Sequence, residues 1–126
     1  MTDQPVAVIT GAAGGMASGL ATGFRTAGYH VVATDRAAGE HVEALDVTDT
    51  AAVEAFAARF QRLDVLVNAA GVLMRQEEYK PETFARVLDI NLTGGLRLAT
   101  ALKPALAAAK GCIVNVGSMY TFFGAP

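Results

Sequence analysis

The 126-residue sequence contains one cysteine, no tryptophan and almost no excess of charge, with 12 acidic and 10 basic residues. A single cysteine excludes an internal disulfide, and the apolar residues around Cys112 predict a buried thiol. The basic residues are scattered, so the sequence predicts no nucleic-acid-binding face and no membrane-binding patch. No signal peptide or membrane span is apparent, which makes a cytoplasmic location the expected one.

Histidine is also scarce: His30 and His41 each begin a predicted strand, and neither has partners at metal-ligand spacing. The sequence therefore predicts no metal site. What the chain has is apolar residues, 52% of the total, enough to build one domain over residues 1–126.

Strand and helix patterns alternate along the chain, which is typical of βαβ units with a parallel sheet. With right-handed crossovers the strand order is 3-2-1-4-5, so the expected fold is a Rossmann-like, doubly wound α/β fold. Strands are predicted at 6–10, 30–35, 42–45, 65–67 and 112–116, and helices at 15–27, from about 50 to 60, and 82–109.

The third helix is the longest, and Pro81 suits its first turn. Arg97, Lys103 and Lys110 are expected near its C-terminal end, where the helix dipole favours cations. Residues 74–80, before it, are predicted to form a surface loop. One side of this helix is expected to carry Phe84, Val87, Leu88, Leu92, Leu96 and Ala99.

A glycine-rich turn, residues 11–17, joins the first strand to the first helix. Gly11 permits a positive φ where the chain leaves the strand, Gly15 permits close approach of a pyrophosphate, and Ala17 is small enough for helix–sheet packing. A turn at a helix N-terminus is an anion site. The alternative is that the glycines serve only tight packing.

Asp35 ends the second strand, 20 residues after Gly15. A carboxylate there can accept both hydroxyls of an adenosine ribose and would repel a 2′-phosphate, which favours NAD over NADP. Arg36 argues the other way, because an arginine can pair with a phosphate. Asp35 could also be an ordinary residue at a strand end.

Further candidates lie at the ends of later strands. Asp46 and Val47 follow the third strand, where a carboxylate could meet an adenine amine, although Asp46 could equally cap a helix. The segment 68–71 ends the central strand beside the glycine-rich turn, at the switch point where ligands bind in open α/β sheets.

Two polar residues could take part in chemistry. Asn91 lies within a helical pattern that is otherwise apolar on that side, and its amide is either a satisfied core group or a functional one. Ser118 follows the fifth strand, where it is either an ordinary turn serine or a catalytic group. We interpret Tyr120, nearby, as a pocket wall.

Taken together, these segments resemble the short-chain dehydrogenase/reductase family over the whole chain. Residues 10–17 resemble its Thr-Gly-x-x-x-Gly-x-Gly turn, with Ala17 in place of the last glycine, and residues 68–71 resemble its Asn-Asn-Ala-Gly, with Ala69 in place of the second asparagine. Asn91, in Ile-Asn-Leu-Thr-Gly, matches the catalytic asparagine. Ser118 matches the catalytic serine.

The resemblance implies an NAD-dependent oxidoreductase that transfers a hydride between nicotinamide and a secondary alcohol or carbonyl. In the family a Tyr-x-x-x-Lys pair completes the catalytic group, and the 126 residues contain no such pair. The chain therefore resembles the N-terminal half of such an enzyme and is expected to be inactive alone. The alternative is a non-catalytic dinucleotide-binding module.

The resemblance also implies a homo-oligomer for the full-length protein and a small alcohol or carbonyl as substrate. If the 126 residues exist alone, the fifth strand should lack cover and favour association. The predicted catalytic residues are Ser118 and Asn91. The predicted cofactor-binding residues are Gly11, Ala13, Gly14, Gly15, Met16, Asp35, Arg36, Asp46, Val47, Asn68, Ala69, Ala70 and Gly71.

Overall fold

A computed structural model describes residues 3–124, so both ends of the domain expected over 1–126 lie outside the described part. The strands are β1 (Val6–Ile9), β2 (His30–Asp35), β3 (Glu43–Ala44), β4 (Val65–Asn68) and β5 (Cys112–Asn115). The helices are α1 (Gly15–Thr26), α2 (Thr50–Ala57), α3 (Pro81–Leu88) and α4 (Gly94–Ala109), with a π-helical turn (Asp89–Thr93) between α3 and α4.

The five strands form one sheet in the order β3-β2-β1-β4-β5, and every pair is parallel. This confirms the predicted order. From β1 the sheet extends through β2 on one side and through β4 on the other, so the switch point lies between β1 and β4. A crevice opens between them at the carboxyl end of the sheet, which is where such folds bind ligands.

Each face of the sheet has its own apolar core. Val8 and Leu66 point to one face, where they pack with residues of α2 and α4 such as Phe56 and Leu98. The alternate strand residues point to the other face and pack on α1 through Ala17 and Ala21. The central strands are therefore covered on both sides, as their continuous apolar sequence predicts.

The strand β5 differs, because all four of its residues are exposed. The predicted burial of Cys112 is wrong: its thiol is exposed. Within residues 3–124, β5 lies at an edge of the sheet and pairs with β4 alone. Ile113 and Val114 remain 42% and 45% exposed.

The single helix predicted over 82–109 is wrong in its middle, where the backbone N–H of Gly94 bonds the carbonyl of Asp89, five residues back. The apolar side predicted for it is also not a buried one. Phe84, Leu88, Leu92 and Leu96 are between 41% and 67% exposed. The core side of α4 instead consists of Gly94, Leu98, Leu102, Ala105 and Leu106.

Smaller differences concern ends and loops. The loop 74–80 contains a 3₁₀ turn, Glu77–Tyr79, and Asp49 caps α2 by accepting a hydrogen bond from the Ala52 N–H. Arg97 lies in the first turn of α4 rather than near its end, where Lys110 adopts a left-handed conformation.

Candidate functional site

The turn after β1 requires glycine at its first position. Gly11 has a φ of +69°, and a Cβ atom there would lie 2.6 Å from the carbonyl oxygen of Ala69. Both facts exclude a side chain, because the left-handed region and a backbone contact this short disfavour any larger residue. Gly11 therefore allows the loops after β1 and β4 to approach each other closely.

Thr10 connects the same two loops through hydrogen bonds. Its side chain is 1% exposed, and its Oγ1 accepts hydrogen bonds from the backbone N–H groups of Ala69 (3.1 Å) and Ala70 (3.0 Å). Sequence reasoning assigned Thr10 no function of its own. The available signal was a hydroxyl ending an apolar strand, where it can replace a backbone partner.

The start of α1 is open to a ligand. Gly14 caps the helix with an extended backbone and no side-chain hydrogen bond, and a Cβ built on Gly15 would meet no atom within 4 Å. The first N–H groups of a helix have no partner within the helix, and the dipole adds positive potential there. The glycines thus leave an uncovered anion site.

Asp35 lies across this turn, at the end of β2. One carboxylate oxygen accepts the N–H of Ala13 at 3.0 Å, and the other accepts the N–H of Arg36 at 2.6 Å. Each oxygen can accept a further hydrogen bond. The carboxylate is therefore held in place by the turn while it retains capacity for a ligand.

Asp46 supplies a second oriented carboxylate after β3. Its Oδ1 accepts from the hydroxyl of Thr48 (2.7 Å) and from the Thr48 N–H (2.9 Å). These bonds, the hydroxyl one first, hold the pKa of Asp46 below its ordinary value, with smaller contributions from the charges of Arg36 and Arg86. Asp46 is thus ionised at neutral pH.

These groups surround one cavity of about 420 Å³ at the carboxyl end of the sheet. Eleven of the thirteen predicted cofactor-binding residues line it, and Ala13 and Asn68 do not. Seven further lining residues were not among those predicted to bind the cofactor: Ala17, Leu45, Thr48, Val72, Arg86, Asp89 and Ile90. Of these, Arg86, Asp89 and Ile90 recur at helical spacing, but the sequence alone did not show that this side faces the switch point.

Asn68 lies beneath the site and connects secondary structures. Its Nδ2 donates to Oδ1 of Asn115 on β5 (3.0 Å) and to the carbonyl of Gly95 on α4 (3.4 Å). Its own Oδ1 is buried without a partner among the described residues. Asn68 faces a second cavity of about 440 Å³, which α4 and β5 enclose.

Asn91 lies in the π-helical turn and also lines this second cavity. Its Oδ1 accepts the Val72 N–H at 2.7 Å, and its Nδ2 donates to the Val72 carbonyl at 2.9 Å. The side chain is thus satisfied by the loop after β4. A π-turn is frequent at functional sites.

Ser118 follows β5 on the exposed side of the sheet. Its Oγ accepts the N–H of Tyr120 at 3.2 Å and so caps a short 3₁₀ turn, Met119–Thr121. The hydroxyl proton has no acceptor among the described residues. Ser118 and Tyr120 line neither of the two cavities, so the structure does not bring Ser118 into the cavity that Asp35 borders.

The first cavity matches the chemistry of an adenine dinucleotide. It combines an uncovered helix N-terminus for phosphates, a fixed carboxylate for ribose hydroxyls, and apolar Leu45, Val47 and Ile90 with Asp46 for a base. Within residues 3–124 no group of three or more potential metal ligands occurs. In the same residues no helix is long and apolar enough to cross a membrane.

A parallel sheet in this order, with a glycine-rich turn at its switch point, defines a Rossmann-like α/β protein. The sequence profile of the short chain dehydrogenase family matches residues 5–126. The chain belongs to this family.

Relatives agree with that assignment. The trans-4-hydroxycyclohexanecarboxylate dehydrogenase of Sinomonas cyclohexanicum is 36% identical over 96% of this chain and 57% of its own length. The D-threitol dehydrogenase of Mycolicibacterium smegmatis is 37% identical over 92% and 53%. The crystal structure of a short-chain dehydrogenase from Streptomyces avermitilis superposes with a TM-score of 0.80 at 30% identity, covering 92% of this chain and 50% of that one. The chain thus spans about half the length of these proteins.

Proposed function

We propose that the chain forms the NAD-binding part of an oxidoreductase that transfers a hydride between nicotinamide and a secondary alcohol or carbonyl. The observation that carries this proposal is the pairing of Asp35 with the glycine-rich turn: the Ala13 N–H orients a carboxylate at the rim of a cavity that begins over an open helix N-terminus. Two relatives named as dehydrogenases of hydroxylated compounds support it.

The cofactor would be held along the length of the cavity. The N–H groups of Gly15 and Met16 would bind its pyrophosphate, and Gly14, whose N–H donates to the Gly11 carbonyl, would line the turn beside them. Asp35 would accept the adenosine ribose hydroxyls, with Arg36 beside it. At the far end, Asp46 and Val47 would hold the adenine, and Ala69, Ala70 and Gly71 would line the middle with Gly11.

We favour NAD over NADP because the Asp35 carboxylate would repel a 2′-phosphate. Its hydrogen bonds to ribose would be charge-assisted, each contributing about 1.5–3 kcal/mol. Arg36 and Arg86 line the same cavity and would attract a phosphate, so they are the residues that oppose this preference.

For the reaction, the bound nicotinamide supplies the hydride acceptor or donor. Ser118 would donate its free hydroxyl proton as a hydrogen bond to the substrate oxygen, and Asn91 would hold a water molecule in the proton relay. The family resemblance assigns the acid–base step to a Tyr-x-x-x-Lys pair, and none occurs in the 126 residues. A polypeptide made of these residues alone is therefore expected to bind cofactor without turnover.

A second candidate is a dinucleotide-binding module without catalysis, because the Asn91 amide is satisfied by Val72 and Ser118 does not line the first cavity. Such a protein would bind NAD and show no turnover in any encoded length. The enzyme proposal instead expects turnover of a secondary alcohol once a polypeptide includes Tyr-x-x-x-Lys. A cytoplasmic location and homo-oligomers of the full-length protein also stay predictions.

The direct test is calorimetric titration of the chain with NAD, NADP and nicotinamide mononucleotide, which lacks the adenosine half. We expect saturable binding of NAD, weaker binding of NADP, and no measurable binding of the mononucleotide. Equal affinity for NAD and the mononucleotide would contradict the assignment of the cavity to adenosine. Absence of NAD binding would contradict the proposed function as a whole.

A further inference from the structure

Arg97 makes more side-chain hydrogen bonds than any role in helix formation requires. It is only 17% exposed, although an arginine in the first turn of a helix is placed unfavourably with respect to the helix dipole. Its three nitrogens donate to three different segments: to Oδ1 of Asp89 (2.9 Å), the carbonyl of Val47 (2.6 Å) and Oγ1 of Thr50 (3.0 Å).

Two of these three partners belong to the wall of the first cavity. Val47 lies in the loop after β3 and Asp89 starts the π-helical turn, so the guanidinium joins two separate wall segments from outside the cavity. Arg97 itself does not line the cavity. The third partner, Thr50, starts α2 and is also outside it.

Gly94, one turn before Arg97, reinforces the same contact. A Cβ atom on Gly94 would lie 2.7 Å from Cγ2 of Val47, so glycine allows α4 to press against this loop. Val47 is therefore held at its side chain by Gly94 and at its carbonyl by Arg97. Because Asp46 precedes Val47 directly, its backbone is fixed by the same contacts.

We propose that Arg97 is a positioning residue for the cofactor cavity: it fixes Val47 and Asp89 at the separation that admits the adenine end of the dinucleotide. This inference rests on the proposed function. Three donors in one plane, each bonded to a different segment, suit this role, because a planar guanidinium sets the relative positions of its partners in a way that a lysine ammonium does not.

The experiment compares Arg97→Met, Arg97→Lys and Thr50→Val in the full chain. Dissociation constants of NAD and of ADP-ribose are measured by calorimetry, and unfolding midpoints are measured in parallel. We expect Arg97→Met to weaken the binding of both ligands about tenfold. Arg97→Lys should weaken it by a similar factor, because an ammonium restores the charge but not the three planar donors. Thr50→Val, which removes only the bond outside the wall, should lower the unfolding midpoint and leave both dissociation constants unchanged.

The outcomes separate the inference from the function on which it rests. If the unaltered chain binds NAD and Arg97→Met lowers only the unfolding midpoint, Arg97 merely stabilises the fold and the inference is wrong. If Arg97→Met does not fold, unchanged affinity in Arg97→Lys overturns the inference as well. If the unaltered chain binds neither ligand, the proposed function fails first.

Discussion

The strands β4 and β5 are neighbours with similar apolar sequences and opposite surroundings. Three of the four β4 residues are buried between two helical layers, whereas all four β5 residues are exposed. The cavity proposed for the cofactor is built around β1, β2 and β4, and Ser118 follows β5. Under the proposed function, nucleotide binding would depend on the buried centre of the sheet, and the chemistry of Ser118 would depend on its exposed edge.

The substitution expected to impair NAD binding most is Gly11→Val. The new side chain would meet the Ala69 carbonyl and take a disfavoured φ, so we expect loss of NAD binding and destabilisation on the order of 3 kcal/mol. Urea unfolding and calorimetry measure the two effects. Gly19→Ala in α1, where a Cβ would meet nothing, is the matched control and should be neutral or stabilising. Normal NAD affinity in Gly11→Val would show that the turn tolerates another shape.

At the end of β5, Ser118→Ala tests the catalytic step separately from cofactor binding. In a polypeptide that includes the Tyr-x-x-x-Lys pair, loss of an oxyanion donor should lower kcat about 10²–10³-fold. The dissociation constant of NAD should stay the same, since Ser118 does not line the first cavity. Steady-state kinetics with a secondary alcohol provide the measurement, and an unchanged kcat would remove Ser118 from the mechanism.

Asp35→Ala returns to the binding part with a smaller expected effect. Loss of charge-assisted hydrogen bonds should weaken NAD by roughly 10–100-fold. NADP should lose less, because a repulsion with its phosphate disappears at the same time. Asp49→Ala, which removes the cap of α2 outside the cavity, should lower stability but not affinity. Equal losses for NAD and NADP in Asp35→Ala would show that Asp35 does not contact the ribose.

The smallest effect concerns the sheet edge opposite β5, where Arg59 binds Glu43 on β3 through both terminal guanidinium nitrogens. The bond from Arg59 lowers the pKa of Glu43 from its ordinary value near 4.5. Since a carboxyl with a lowered pKa stabilises the fold above its unfolded pKa, that contribution is lost as the pH falls through the folded pKa. Both side chains are about half exposed, so Glu43→Gln should cost only about 0.2–1 kcal/mol at pH 7.

Urea midpoints at pH 7 and below pH 4.5 measure this difference, which should shrink with acid and with added salt. Glu54→Gln, at an exposed position of α2, provides the control. A difference between Glu43→Gln and the unaltered chain that grows towards low pH would contradict the assigned sign.

The sequence was sufficient to predict those features that follow from local patterns of residues. The strand order follows from alternating elements and right-handed crossovers, and the glycine-rich turn, Asp35 and Asp46 could be placed on one edge because strand ends meet there. The predicted burial of Cys112 was wrong because burial depends on what covers a strand, and the sequence of the strand itself does not show this. Arg97 was assigned to the wrong end of a helix because the π-turn before α4 could not be recognised from the spacing of apolar residues. The predicted helix therefore began too early.

That π-turn makes the register of residues 89–93 a determinant of the cavity. An α-helix advances about 100° per residue, so removing one residue here would rotate α3 about its axis relative to α4. Arg86, Asp89 and Ile90 would then leave the cavity wall, and Asp89 would leave Arg97. In this part of the chain an insertion or deletion of one residue would therefore alter the protein more than most substitutions, which change a side chain and keep the helical phase.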